Sequence, residues 1–331
     1  MTGMCQDCPG EAGVDTFLSL VLHDEECVTM DHMYKQWVST DRCELIDVRK
    51  DWDDFIHDLS VSVVKLTNHH YVAIRQSRAF KECKESVVEG EAVVVGDFSE
   101  NYTFVIQDEV QSHHWDAPQC TVHPFVVYWR ENGEGQHQSF CIISDNLKHN
   151  TTAVHAFQKA LIPRLKEKIP SLTKIRYFSD GSAAQYKNRF NFSNICAHKS
   201  DFGLDCDWQF FATSHGKGAC DGVGGTVKRA TALESLRRPT REQITNATEM
   251  FEFLSDKFET TVNFVFVSRV EVEKAAEHLK ERFSKAVAVK GTQSLHCFIP
   301  VNHETLRVSK LSGGPGRLVK VQRSRAPKRR K

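Results

Sequence analysis

No stretch of this sequence approaches the ~20 consecutive apolar residues that a membrane-spanning helix needs. The opening residues, MTGMCQDCPGEAG, lack the charged-then-apolar run of a signal peptide, which argues against secretion. The eleven cysteines form no even framework, and a chain of 331 residues has no need of disulfide staples, so a reducing, intracellular compartment is expected. Internal repeats are lacking as well. Net charge is missing too: 43 Lys and Arg balance 43 Asp and Glu, which excludes a strongly basic, DNA-coating protein. What is present is ordinary globular composition, 40% hydrophobic and 26% charged, long enough for one large domain or two small ones.

The zero is a sum of opposed ends. Residues 1–60 hold fourteen acids against Lys35, Arg42, Arg49 and Lys50. The last fifteen residues, RLVKVQRSRAPKRRK, hold eight bases and no acid. Such asymmetry suggests a basic arm for nucleic acid or nuclear import, and an acidic face that meets something else.

Residues 1–90 read as an acidic, mostly helical region. Met33, Tyr34 and Trp37 fall on one side of a helix, and Trp52, Phe55, Ile56 and Leu59 repeat at i, i+3, i+4 and i+7. A third helix is expected over 69–85, through His70, Ala73, Ile74 and Phe80. Cys5 and Cys8 form a CxxC, half of a zinc site, which Cys27 and Cys43 complete only at unusual spacing.

The middle, 91–238, is more legible. Val93, Val94 and Val95 mark a buried strand ending in Gly96-Asp97. Strands over 123–131 and 136–145 flank Asn132-Gly133, a hairpin signal. A helix over 149–169, capped by Asn150 or Thr151, carries Val154, Phe157, Leu161, Leu165 and Ile169, with Pro163 predicting a kink. A strand over 174–182, a helical stretch near 186–202, a strand over 207–216 and a helix over 225–236 follow. The order is strand, strand, strand, helix, strand, helix, strand, helix. An antiparallel meander followed by helical crossovers, as parallel strands require, resembles the RNase H-like fold: an α/β, mixed five-stranded sheet flanked by helices. A smaller α+β segment over 239–303 is expected to open on a capping box, Thr240 to Gln243. From 304 to 331 glycine, proline and base replace pattern, and a flexible basic tail is expected.

In such a sheet, carboxylates at the ends of the first and fourth strands and at the start of the last helix converge. Asp97, Asp180 and Asp221 hold those places. Three carboxylates suit two Mg²⁺ or Mn²⁺ ions, because hard cations prefer oxygen ligands. Two metals about 3.5–4 Å apart can activate a water or 3′-hydroxyl for in-line phosphoryl transfer. Glu234 stands in reserve for the third place: the glycines around Asp221 are poor helix formers, and a late helix start would bring Glu234 closer. Around the acids, His215, Lys217, Lys228 and Arg229, with Lys187 and Arg189 after Asp180, suit nucleic-acid phosphates. The glycine-rich stretch is not a Walker loop, since no GxxxxGK[ST] spacing occurs. His113, His114 and His123 with Cys120 are a further zinc possibility, set against a plain polar-aromatic loop. A 3′–5′ exonuclease needs Asp-x-Glu on its first strand; Asp97 and Glu100 are one residue too far apart and fall on opposite faces.

The segments GDFSENY, YFSDGSAAQYKN and WQFFATSHGKGACDGVGGTVKR together resemble the core of DDE/D cut-and-paste DNA transposases of animal genomes, Mutator-like or Kolobok-like in lineage. The resemblance spans roughly 30–300, with its specific part at 91–236. It implies an RNase H-like core, two divalent metals, DNA strand cleavage and strand transfer, and a nuclear location. It makes DNA the expected partner, with a second copy of the chain as a further candidate. Asp97 and Asp180 match the family's first two acids; the third place stays between Asp221 and Glu234. No complete zinc-finger or helix-turn-helix module precedes the core, and terminal-repeat recognition needs one. Cys5 and Cys8 are then read as its remnant, and a domesticated protein that keeps the fold without transposition is the alternative.

Overall fold

The computed structural model describes residues 10–23, 30–106, 117–213 and 218–323. The chain divides into two compact units, Met1–Ile74 and Arg75–Lys331.

The first unit begins with helix α1 (Gly10–Val21). It continues as a two-stranded antiparallel sheet, β1 (His32–Ser39) against β2 (Cys43–Lys50). The helix expected through Met33, Tyr34 and Trp37 is therefore a strand. A spacing of four satisfies both periods, because residues i and i+4 also share a strand face. Pairing across the hairpin decides the matter: Trp37 lies opposite Leu45 and Lys35 opposite Asp47. Helix α2 (Trp52–Glu85) then fuses the two helices expected around Trp52–Leu59 and 69–85, since no glycine or proline interrupts it. Its start is capped by Asp51, whose carboxylate accepts the Asp54 N–H at 2.9 Å. Lys50 Nζ at 2.7 Å and the Tyr34 hydroxyl at 2.8 Å both donate to Asp58. Residues of α2 up to Ile74 belong to this unit and those from Arg75 to the next.

The second unit is mixed α/β, a large mixed sheet flanked by helices. Its strands are β3 (Glu91–Gly96), β4 (Tyr102–Thr103), β5 (Gln119–Glu131), β6 (Glu134–Ser144), β7 (Lys174–Ser179), β8 (Asp205–Phe210), β9 (Val262–Val267), β10 (Cys297–Asn302), β11 (Thr305–Ser309) and β12 (Gly316–Lys320). They run in the order β12-β11-β10-β8-β7-β3-β5-β6-β9, with β4 paired to β5. At the centre β3, β7 and β8 are parallel and β5 and β6 form the antiparallel meander. Asn132 (φ 51°) and Gly133 (φ 81°) turn the β5–β6 hairpin, both in the left-handed region a two-residue type I′ turn demands.

The expected five strands are thus the middle of a ten-stranded sheet. The segment over 239–303 is no separate body: β9 adds in parallel to β6 at one edge, and β10 adds antiparallel to β8 toward the other. The tail expected from 304 onward is ordered through Arg323, because β11 and β12 find partners in β10 and in each other. The capping box expected at Thr240 forms only a single 3₁₀ turn, Thr240–Glu242. The helix starts later, as α6 (Ala247–Lys257), where Asn246 accepts from Thr248 and Glu249 just before the apolar stripe Ala247, Met250 and Leu254. The remaining helices are α3 (Thr151–Lys168, capped by Asn150), α4 (Arg189–Phe202), α5 (Ala219–Arg237) and α7 (Arg269–Ser284). Helix α3 runs through Pro163 without interruption.

Strand alternation splits the core between the two sheet faces. Val94, Phe125, Val127, Phe140 and Ile142 face α3, α4 and α7 through Phe157, Leu161, Phe192 and Val272. Val93, Val95, Val126 and Phe178 turn to the other face, with Cys220 of α5 and Phe80 of α2. There, farther along β5 and β6, Val122 and Ile143 meet Met250 and Leu254 of α6. Both faces are covered, which is why β3 reads as an unbroken apolar run.

Candidate functional site

Parallel pairing of β3 and β7 sets Val95 against Phe178. The same register carried two residues on sets Asp97 against Asp180, beyond the carboxyl ends of neighbouring strands about 4.8 Å apart. Asp97 keeps the ladder on its other side, its N–H donating to the Pro124 carbonyl at 3.3 Å. By alternation it shares a face with Val93 and Val95, and Asp180 shares that face with Phe178. Both acids therefore leave the sheet on the side covered by α5.

Asp221 stands in the first turn of α5. The helix starts six residues before the expected Gly225, because Asp221 itself accepts the Gly218 N–H at 2.8 Å and offsets the poor helix propensity of the glycines. Cys220, the preceding residue, is buried and directs its thiol to the Val95 carbonyl at 3.5 Å, fastening this turn to the end of β3. Gly224 permits the approach: a Cβ there would stand 2.3 Å from Ser99 Oγ and 3.4 Å from Pro124 Cγ.

Asp97 feels the other two acids. Asp97 is pushed up to about 7, by burial first and then by the charges of Asp180 and Asp221. Burial also raises Asp180, whose carboxylate accepts the Ser182 N–H at 3.2 Å. Beneath them lies Tyr186, fully buried, its hydroxyl 2.7 Å from His123 Nε2. Burial, then Asp97 and Asp180, raise that phenol well above its ordinary range. Glu234 plays no part here. It is held by Arg237 and Arg238, each at 3.1 Å, which lower its pKa, Arg238 foremost.

The donor set, three carboxylates of which Asp97 is pushed up to about 7, fits hard divalent ions. Asp221 commits one oxygen to Gly218 and keeps the other. Among the described residues, no group of three or more His, Cys, Asp or Glu side chains is arranged to hold a metal ion as it stands.

The expected phosphate-facing bases divide. Arg189 and Arg229 are exposed, Arg189 lying 4.7 Å over the Phe190 ring. Lys228 is half-buried and donates to the Glu100 carbonyl, and burial lowers its pKa. Lys187 is no surface base: it is 8% exposed, donates to the Gln293 carbonyl at 2.9 Å, and burial brings it down to about 8. His215, Lys217, Cys5, Cys8, Cys27, His113 and His114 lie outside the described residues. Of the remaining zinc possibilities, Cys120 is buried against Met250, 3.4 Å sulfur to sulfur, and His123 is taken by Tyr186. Core packing claims both.

The sequence reading missed Tyr186, Ser99, Cys220 and Gly224. Only Gly224 left a trace, as one of several glycines whose individual purposes spacing does not separate.

Among the described residues no helix is long and apolar enough to cross a membrane. No curated protein and no solved structure matches the chain. Residues 1–67, almost all of the first compact unit, match a family model described as "Domain of unknown function (DUF8700)". Residues 76–312, most of the second unit, match another, and by that match the chain belongs to the family described as "Domain of unknown function (DUF8701)".

Proposed function

We propose that the second unit is a metal-dependent polynucleotidyl transferase of RNase H-like architecture, cleaving and joining DNA strands in the manner of a transposase, in the nucleus. The observation that carries this reading is the carboxylate group itself: Asp97 and Asp180 in register at the ends of adjacent parallel strands, with Asp221 near enough to raise Asp97. The central strands β6-β5-β3-β7-β8 support it, joining an antiparallel meander to strands that return in parallel, the arrangement expected from the sequence. Mg²⁺ or Mn²⁺ held by Asp97, Asp180 and Asp221 would activate an attacking water or 3′-hydroxyl and neutralise the leaving oxygen. The chain's own part is positional. The sheet fixes the first two acids and keeps them partly buried, and Cys220 and the Gly224 contact fix the third.

The test is cleavage or joining of labelled oligonucleotides with Mn²⁺. Asp97→Asn and Asp180→Asn should each abolish it with unchanged circular dichroism, Asp221→Asn should do the same, and Glu234→Gln should leave activity in place. Full activity in Asp97→Asn or Asp180→Asn refutes the assignment.

A second reading, a non-catalytic nuclear DNA-binding or interaction protein that retains the fold, is favoured by one observation. The Asp221 carboxylate turns back onto Gly218. It predicts oligonucleotide binding by the wild type without turnover under any divalent ion.

A further inference from the structure

Beside the acids, the chain from Gly181 to Arg189 forms one wall of a cleft of about 500 Å³, and Ala288, Val289 and Gln293 form the other. That volume is within the range of small-ligand sites. Gly181, the residue after Asp180 in the chain, lines it.

Two cations, Lys187 and Arg189, belong to its lining. Lys187 lies 8% exposed on its wall, with Nζ bonded to one carbonyl and 5.3 Å from the centre of the Phe210 ring. An ammonium has three donors, and among the described residues Gln293 is the one acceptor hydrogen-bonded to it. No described carboxylate pairs with Lys187 or with Arg189, which lines the same cleft. Burying a cation without an anion is costly, and a bound anion would offset that cost. Ala288, Val289 and Phe211 give the lining an apolar part, beside the polar Thr213, Thr292 and Gln293. Cations and apolar side chains in one lining suit a ligand that carries both an anionic group and a flat, apolar one.

We propose that this cleft seats one nucleotide unit of a nucleic-acid strand, its phosphate against Lys187 and Arg189 and its sugar and base along Val289. The strand, as distinct from the nucleotide chemistry, rests on the reading of Asp97, Asp180 and Asp221 given above.

The test is fluorescence anisotropy of a labelled single-stranded oligonucleotide on the full chain, in EDTA and across a salt series. Lys187→Met and Arg189→Gln should each weaken binding about tenfold and lower the slope of log Kd against log salt by about one. Lys280→Gln, an exposed charge-matched control on α7, should change neither. If Lys187→Met fails to fold, Arg189→Gln decides alone, since its side chain is exposed. Deoxyadenosine monophosphate should compete in the wild type and inorganic phosphate far less. Equal competition by phosphate overturns the nucleotide assignment. Unchanged affinity and slope in both variants overturn the cleft altogether. Because binding is read without metal, Lys187-dependent binding with no cleavage by the wild type refutes the catalytic reading alone. Cleavage with Lys187- and Arg189-independent binding refutes the cleft alone.

Discussion

In the first unit Trp37 and Leu45 meet across a two-stranded sheet and remain 67% and 46% exposed. In the second, Phe157, Phe192 and Phe298 lose all contact with solvent between a wide sheet and its helices. The side chains are of one kind; the number of layers differs. The ribbon packs His32 and Tyr34 on α2 and leaves Trp37 on its exposed face, so an aromatic there does not report a core. Where both faces are covered, as along β3 from Ala92 to Gly96, successive strand residues are all buried, so alternation vanishes from the sequence just where the structure is firmest.

Mutations should break or sharpen that contrast. Phe157→Ala should cost about 3–5 kcal/mol in the second unit, read by chemical denaturation, because the side chain is fully enclosed and the cavity cannot collapse freely. A smaller effect comes from pH. His198 is buried with its ring nitrogens 2.8 Å from the Leu204 carbonyl and 3.0 Å from the Tyr177 hydroxyl, and burial holds it down to about 4; His155 is likewise held at about 4. Both lie below the ordinary 6.5, so between 6.5 and 4 the unfolded chain binds protons that the folded one refuses. The stability they confer is complete above about pH 6.5 and is lost as pH falls toward 4, at up to about 1.4 kcal/mol per histidine per pH unit. Urea midpoints of the second unit at pH 7 and pH 5 check this, and a flat profile refutes it.

Gly224→Ala should cost on the order of 1–3 kcal/mol, since Ser99 must move to admit a Cβ. Replacing Ser99 by glycine in the same chain should recover most of that loss. Smallest is Trp37→Ala, within about 0.5 kcal/mol, as an exposed strand residue. A large loss there would mean that the ribbon has a covering layer.

How much was legible follows the same line. The central strands announced themselves through Val93–Val95 and Asn132-Gly133, and the acids through their places at strand ends, because local pattern and tertiary role agree there. Strands β11 and β12 did not: glycine, proline and arginine around Leu306–Leu318 carry no alternation strong enough to read, and pairing with distant β10 makes them strands. Likewise Lys187 reads as a surface base in any sequence; it is buried among distant residues, with Gln293 about a hundred residues on accepting from it and Phe210 beside it. The third acid was undecided because the helix start depends on a hydrogen bond from Gly218 to Asp221, which propensity does not contain.

The register of β3 and β7 has a consequence for variation in this family. Two of the acids are spaced by a backbone ruler: both strands are interior, and neither can slip without tearing the ladders on both its sides. The third rides on a helix, held by one thiol contact and one missing side chain. Natural change can therefore retune the third acid through Cys220, Gly224 and Ser99 while the first pair stays at fixed separation. Whatever chemistry the group serves, its adjustable part sits on the helix.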